Sequence, residues 1–313
     1  MPLSLKRGAV TAVFERHQGL VRVEVDGEAC IAYPTLTGPV VLGDEVVVNT
    51  QARALGLGSG GFDILYLNLT RGLELPADEG AHVVKLPYTP VQVALRHAEE
   101  AGDAPEALDG MPVVCCSIHS QLAPVCAALA GLRVAYVQLE GGALPLALSD
   151  TVRLLRARGL LAATASVGAC FGGDVECVNP WSALAWAKGA RHDVAVCSIG
   201  PGIVGTASRL GHGGLAAATA ANAAAALGGR AVVAARVSEA DERERHRGMS
   251  HHTRAVLDLC LGEVVVADDV DAGGWQEACA GLPLSHMGRG PHEDAAFFAA
   301  AYAAGRAARR LLG

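Results

Sequence analysis

The chain has 313 residues, of which 51% are hydrophobic and 18% charged, and its formal net charge is −7. That balance supplies a large core and excludes a solvated, disordered polymer, while the length suits one large domain with a smaller companion. The acidic balance and the lack of a long Lys/Arg cluster argue against nucleic acid as a partner, and no apolar run reaches the roughly 18 residues of a membrane span.

Residues 1–19 mix Lys6, Arg7, Glu15 and Arg16 among apolar side chains. No signal peptide is expected there, and the expected location is cytoplasmic. Nine cysteines include no CxxC pair, which suits reduced, buried thiols better than a disulfide framework or a structural zinc site.

Taken in chain order, residues 9–14, 20–25, 29–33 and 45–49 read as short strands, with Asp26-Gly27 as a hairpin turn and a further strand within 62–69. This spacing predicts a small barrel-like domain over 1–87, SH3-like or OB-like. OB barrels often bind oligonucleotides, but 1–87 holds seven Lys/Arg against ten Asp/Glu, a net charge of −3, so a structural or oligomerising role is expected. Residues 89–101 show a helical pattern, and 88–111 as a whole is expected to be a helix and linker.

From 112 to 313 apolar runs of strand length (113–117, 134–139, 162–167, 194–199, 231–237, 264–267) alternate with Ala/Leu-rich segments at 121–130, 149–157, 180–187, 215–227, 251–261 and 293–312. That alternation predicts a mainly parallel, three-layer, Rossmann-like α/β domain behind the N-terminal barrel.

Open parallel sheets bind ligands outside the carboxyl ends of their strands. The fourth strand is followed by G-x-G-x-x-G (Gly200, Gly202, Gly205) and Thr206, where backbone N–H groups can approach an anion. Pro201 inside the motif and the spacing to Glu239 depart from a dinucleotide fingerprint, and a purely structural tight turn explains the glycines as well. After the fifth strand, Arg247, the helix-capping Ser250 and the pair His251-His252 offer an anion site or acid–base groups, as does His119 after the first strand. A solvated loop in which Glu242 and Glu244 neutralise the arginines is the plainer alternative. His286 and Arg289 precede the last helix and can close over the same edge, or simply anchor that helix.

Asp174, Glu176, His212, His246, His251 and His252 carry metal-ligating groups, but without HExxH or facial-triad spacing no metal is assigned and the cofactor stays open. Cys170 reads as a buried thiol more readily than as a nucleophile.

Four stretches, ALGLGSGG at 54–61, SIGPGIVGT at 198–206, RHRGMSHHT at 245–253 and SHMGRGPHED at 285–294, together resemble the bacterial family catalogued as Domain of Unknown Function 3866. The resemblance spans nearly the whole chain and supports the fold and the choice of loops. It implies no reaction.

The expected function is binding of, or catalysis on, a small anionic molecule at the strand ends. The candidates are His251, His252 and His119 for catalysis, and Gly200, Gly202, Gly205, Thr206, Arg247, Ser250, His286 and Arg289 for binding. The 200–206 and 247–252 loops are expected to line one pocket, on the assumption that the fourth and fifth strands are neighbours. The alternative is a non-enzymatic assembly protein, a possible homo-oligomer formed through the barrel.

Overall fold

A computed structural model describes residues 3–56, 61–102, 104–267 and 272–313. Residues 57–60 of the glycine-rich 54–61 stretch lie outside the described residues. The chain divides into two compact units, Met1–Arg96 and His97–Gly313.

The first unit contains a closed barrel of β1 (Leu5–His17), β2 (Leu20–Val25), β3 (Glu28–Ala32), β4 (Glu45–Asn49) and β5 (Asp63–Asn68), in the order β1-β2-β3-β5-β4. Short helices α1 (Pro34–Thr37) and α2 (Gln51–Ala54) fall between its later strands. Asp26 and Gly27 both have positive φ, 49° and 85°, as a two-residue hairpin matching the strand twist requires. Alternating valines, among them Val21, Val23, Val25, Val46 and Val48, fill the barrel interior.

The helix expected over 89–101 is not formed. Val93–Leu95 (β7) instead pairs antiparallel with Val83–Lys85 (β6), and Ala98–Ala101 is helical only as a 3₁₀ helix. The reason is local: Tyr88 has a positive φ, Pro90 lacks an N–H, and Val91, Val93 and Leu95 alternate with the period of a strand.

The second unit is a seven-stranded sheet in the order β11-β10-β9-β12-β8-β13-β16, with every neighbouring pair parallel. Its strands are β8 (Pro112–Cys116), β9 (Val134–Leu139), β10 (Ala163–Val167), β11 (Val175–Cys177), β12 (Val194–Ile199), β13 (Arg230–Ala234) and β16 (Val264–Val266). Successive side chains serve opposite faces: Val114, Tyr136 and Val196 pack with α3 (Leu122–Ala128), whereas Val113, Val137 and Cys197 pack with α5 (Pro180–Gly189) and α6 (Ala216–Ala226). This is the three-layer Rossmann-like arrangement. Also present are α4 (Asp150–Ala157), α7 (His251–Leu259), α8 (Trp275–Ala278) and α9 (Ala295–Arg310). No helix among the described residues is long and apolar enough to cross a membrane.

Two local expectations change. The 231–237 run ends as a sheet strand at Ala234, because the Arg236 N–H is taken by the Thr253 hydroxyl at 2.8 Å and its carbonyl by the Ser250 N–H at 2.8 Å. The chain then forms a two-strand ribbon, β14 (Val237–Ser238) with β15 (Gly248–Met249). The fourth and fifth expected strands, β12 and β13, are not neighbours: β8 lies between them.

Candidate functional site

The strand order creates a switch point. β8 and β12 are adjacent, yet the chain leaving β8 runs to α3 on one face and the chain leaving β12 runs to α6 on the other. Loops that diverge in this way leave a crevice at the carboxyl ends of the strands. A cavity of about 430 Å³ lies there, lined by His119 and Ser120 after β8, Gly202 and Ile203 after β12, Arg236 after β13, and His286 before α9. A larger depression of about 520 Å³ beside α5 offers few polar groups, and one of them, Glu99, is already occupied in accepting the Val178 N–H at 2.8 Å.

Two charged side chains line the cavity: Asp150, which pairs with Arg153 of α4, and Arg236, which belongs to a buried cluster. Asp241 is buried and faces Arg236 at 3.5 Å, Arg243 at 2.8 Å and Arg289 at 3.3 Å, while Arg289 also reaches Asp294 at 3.3 Å. Burial works to raise the Asp241 pKa, but the hydrogen bonds and charge of Arg243 hold it below the usual carboxylate range. Three guanidinium groups therefore meet two carboxylates, leaving one excess positive charge. Burial, reinforced by Arg243, lowers Arg236 to about 10, so it stays charged at neutral pH. Its Nε is buried and has no hydrogen-bond partner among the described residues.

His286 is the second polar wall. Its ring stacks on Phe297 of α9, with centroids 3.8 Å apart, and its Nδ1 meets the Ser120 hydroxyl at 3.3 Å. Its Nε2 is buried without a partner among the described residues. Burial, then the charges of Arg236 and Arg289, pushes its pKa down to about 3, so the ring is neutral.

His119 also lines the cavity, but as a brace. Its Nδ1–H donates to the Ile199 carbonyl at 3.1 Å, which leaves Nε2 to accept from the Ser149 hydroxyl at 2.7 Å. The same Ser149 oxygen accepts the Val152 N–H and caps α4. Both nitrogens are taken, and burial lowers the pKa from 6.5 to about 4. The unfolded chain therefore takes up this proton first, so stability falls as pH drops from about 6.5 towards 4. Between pH 7 and pH 5 this one ring is expected to account for a loss of about 2 kcal/mol, measured as the difference in urea stability between wild type and His119→Gln at the two pH values.

Beside the cavity, four imidazoles pack together. His212 stacks on His252 at 3.7 Å between centroids, and His246, His251 and His252 lie 4.4–4.9 Å from one another. Burial is the main cause lowering all four pKa values, to about 3 for His246 and about 2 for His252. Ser250 begins α7 and accepts the His252 N–H at 3.2 Å, while its oxygen lies 2.7 Å from His246 Nδ1. Arg236 joins the cluster to the cavity by donating to His252 Nδ1 at 3.2 Å.

Of the residues singled out in the sequence, the cavity gathers His119, Gly202 and His286. His251, His252 and Ser250 belong to the adjoining cluster, and no residue of 247–252 lines the cavity itself. Arg247 is exposed. Thr206 closes its own loop through Ser208 and Gly211, and Arg289 is held by the two aspartates. Gly200 and Gly205 do not line the cavity and are closely packed: a Cβ on Gly200 would lie 2.1 Å from the Ala143 carbonyl oxygen, and one on Gly205 would lie 2.8 Å from the His212 Cβ. Asp174 and Glu176 stand apart, accepting the Thr164 and Gly172 N–H groups respectively.

Arg236 and Asp241 escaped the sequence reading. A lone arginine closing an otherwise apolar strand run was the available signal for the first. Asp241 looked like one more charge in a charged loop.

No curated protein matches the chain. The sequence profile described as Protein of unknown function (DUF3866) matches residues 29–277. The match includes Arg236, Asp241 and all four clustered histidines. On that coverage, and on the loops described above, the chain belongs to the DUF3866 family.

Proposed function

We propose that this protein binds a small acidic molecule in the switch-point cavity, with Arg236 and His286 as its principal polar contacts. One observation carries the reading: Arg236 and His286 both line the cavity, each holds a buried nitrogen without a partner among the described residues, and Arg236 belongs to a cluster with one excess positive charge. A buried donor left unpaired costs about 1–3 kcal/mol, a cost that an anionic ligand removes. Ile203 and Met287 add apolar wall, which suits a compact metabolite with an acidic end. A reducing, cytoplasmic setting fits the nine free cysteines.

The test is native mass spectrometry of the purified full chain. An acidic small molecule is expected to accompany the wild type and to be absent from Arg236→Gln. If the wild type retains nothing, and a thermal-shift panel of phosphorylated and carboxylated metabolites moves its melting temperature no more than that of the variant, the reading fails.

A further inference from the structure

We propose that His246, His251 and His252 form a binding site for one divalent transition-metal ion of the zinc class. The inference rests on a different residue cluster from the proposed anion cavity and stands or falls separately. One ligating atom from each of the three rings lies within 4.8 Å of the other two. A tetrahedral ion with Zn–N distances of about 2.0–2.1 Å holds its nitrogens roughly 3.3 Å apart, so a small inward rotation of the rings completes the set.

The surroundings are arranged as a metal site's are. His251 Nε2 is buried and has no partner among the described residues. Ser250 lies 2.7 Å from His246 Nδ1; when that nitrogen donates to the hydroxyl, the Nε2 lone pair is free to coordinate. His251 and His252 are adjacent at the start of α7, and His246 is brought to them by the 3₁₀ turn Glu244–His246. His212, stacked on His252, closes one side. Three imidazoles without carboxylate or thiolate in the set favour zinc, cobalt, nickel or copper over magnesium and calcium.

Arg236 sets the condition for loading. Its guanidinium donates to His252 Nδ1, which places the His252 proton on Nε2. Coordination through Nε2 moves that proton to Nδ1 and breaks the arginine's bond, with no net change in charge. The freed donor belongs to a side chain that already lines the cavity. The nearby positive charge also favours an anion as the fourth ligand.

The experiment uses the full chain, stripped with chelator, dialysed and titrated with Zn²⁺ alone. The bound metal is counted by elemental analysis, and its ligands are identified by X-ray absorption. One equivalent is expected in the wild type, with three imidazoles and no sulfur in the shell, and at least a tenfold loss of affinity in His246→Ala/His251→Ala. Wild type that binds no more zinc than the double variant overturns the proposal, and so does a sulfur-containing shell. If the double variant does not fold, His246→Gln and His251→Gln are titrated singly, and zinc affinity unchanged in both overturns the proposal.

Discussion

Asp241→Ala is expected to destabilise the second unit by about 3–5 kcal/mol, the cost of removing one partner from a buried ion pair. The carboxylate is buried and is the shared counter-charge of Arg236, Arg243 and Arg289, so its loss leaves three guanidinium groups facing Asp294 alone. Arg236 suffers most, since it is buried and cannot turn to solvent as Arg243 can. The expected contrast is Asp258→Ala. Its pair with Arg209 is more than half exposed on both sides, and the change should cost less than about 1 kcal/mol. Urea unfolding of the two variants checks this, and a cost below about 1 kcal/mol for Asp241→Ala would show that the cluster does not hold the strand ends together.

Gly200→Ala is expected to cost about 3 kcal/mol or more, through packing and not through ligand binding. The new Cβ would sit 2.1 Å from the Ala143 carbonyl oxygen, and the neighbouring loop cannot yield. Ala143 N–H donates to the Pro201 carbonyl at 2.9 Å, Val204 N–H donates to the Gly141 carbonyl at 2.9 Å, and buried Gln138 donates to the Ala143 and Leu144 carbonyls. Overpacking of this kind usually costs about 1–3 kcal/mol, and backbone on both sides places this position at the upper end. Thermal unfolding measures the loss. A variant as stable as wild type that has nonetheless lost its retained small molecule would restore the anion-cradle reading of this glycine.

The contrast between these two residues shows what the sequence could reveal. The fold was legible because the central sheet strands are buried, mainly apolar runs: 134–139 and 194–199 coincide with β9 and β12. The edge strand β11 was missed because three residues behind a glycine-rich loop carry no period. Strand order was not legible either, since nothing in the apolar runs says that β8 inserts between β12 and β13. That order decides the site. It brings Ser120, Gly202, Arg236 and His286 to one cavity and leaves Arg247, the most conspicuous cation of the histidine loop, in solvent. The histidine doublet pointed to the right neighbourhood, but His246 and His212 join it only through the turn before α7 and the loop after β12. Gly200 illustrates the converse: its motif resembles an anion cradle, while its physical demand is the approach of two backbones.

The most direct measurement is the affinity of the retained acidic molecule for wild type, Arg236→Gln and Arg247→Ala, by calorimetry on proteins shown to be folded by circular dichroism. Loss of a charged hydrogen bond worth about 1.5–3 kcal/mol predicts binding weaker by roughly 10- to 150-fold in Arg236→Gln. Arg247→Ala should stay within about twofold of wild type, since its side chain lies outside the cavity. Equal affinity in wild type and Arg236→Gln, or a loss confined to Arg247→Ala, would contradict the assignment of the switch-point cavity as the binding site.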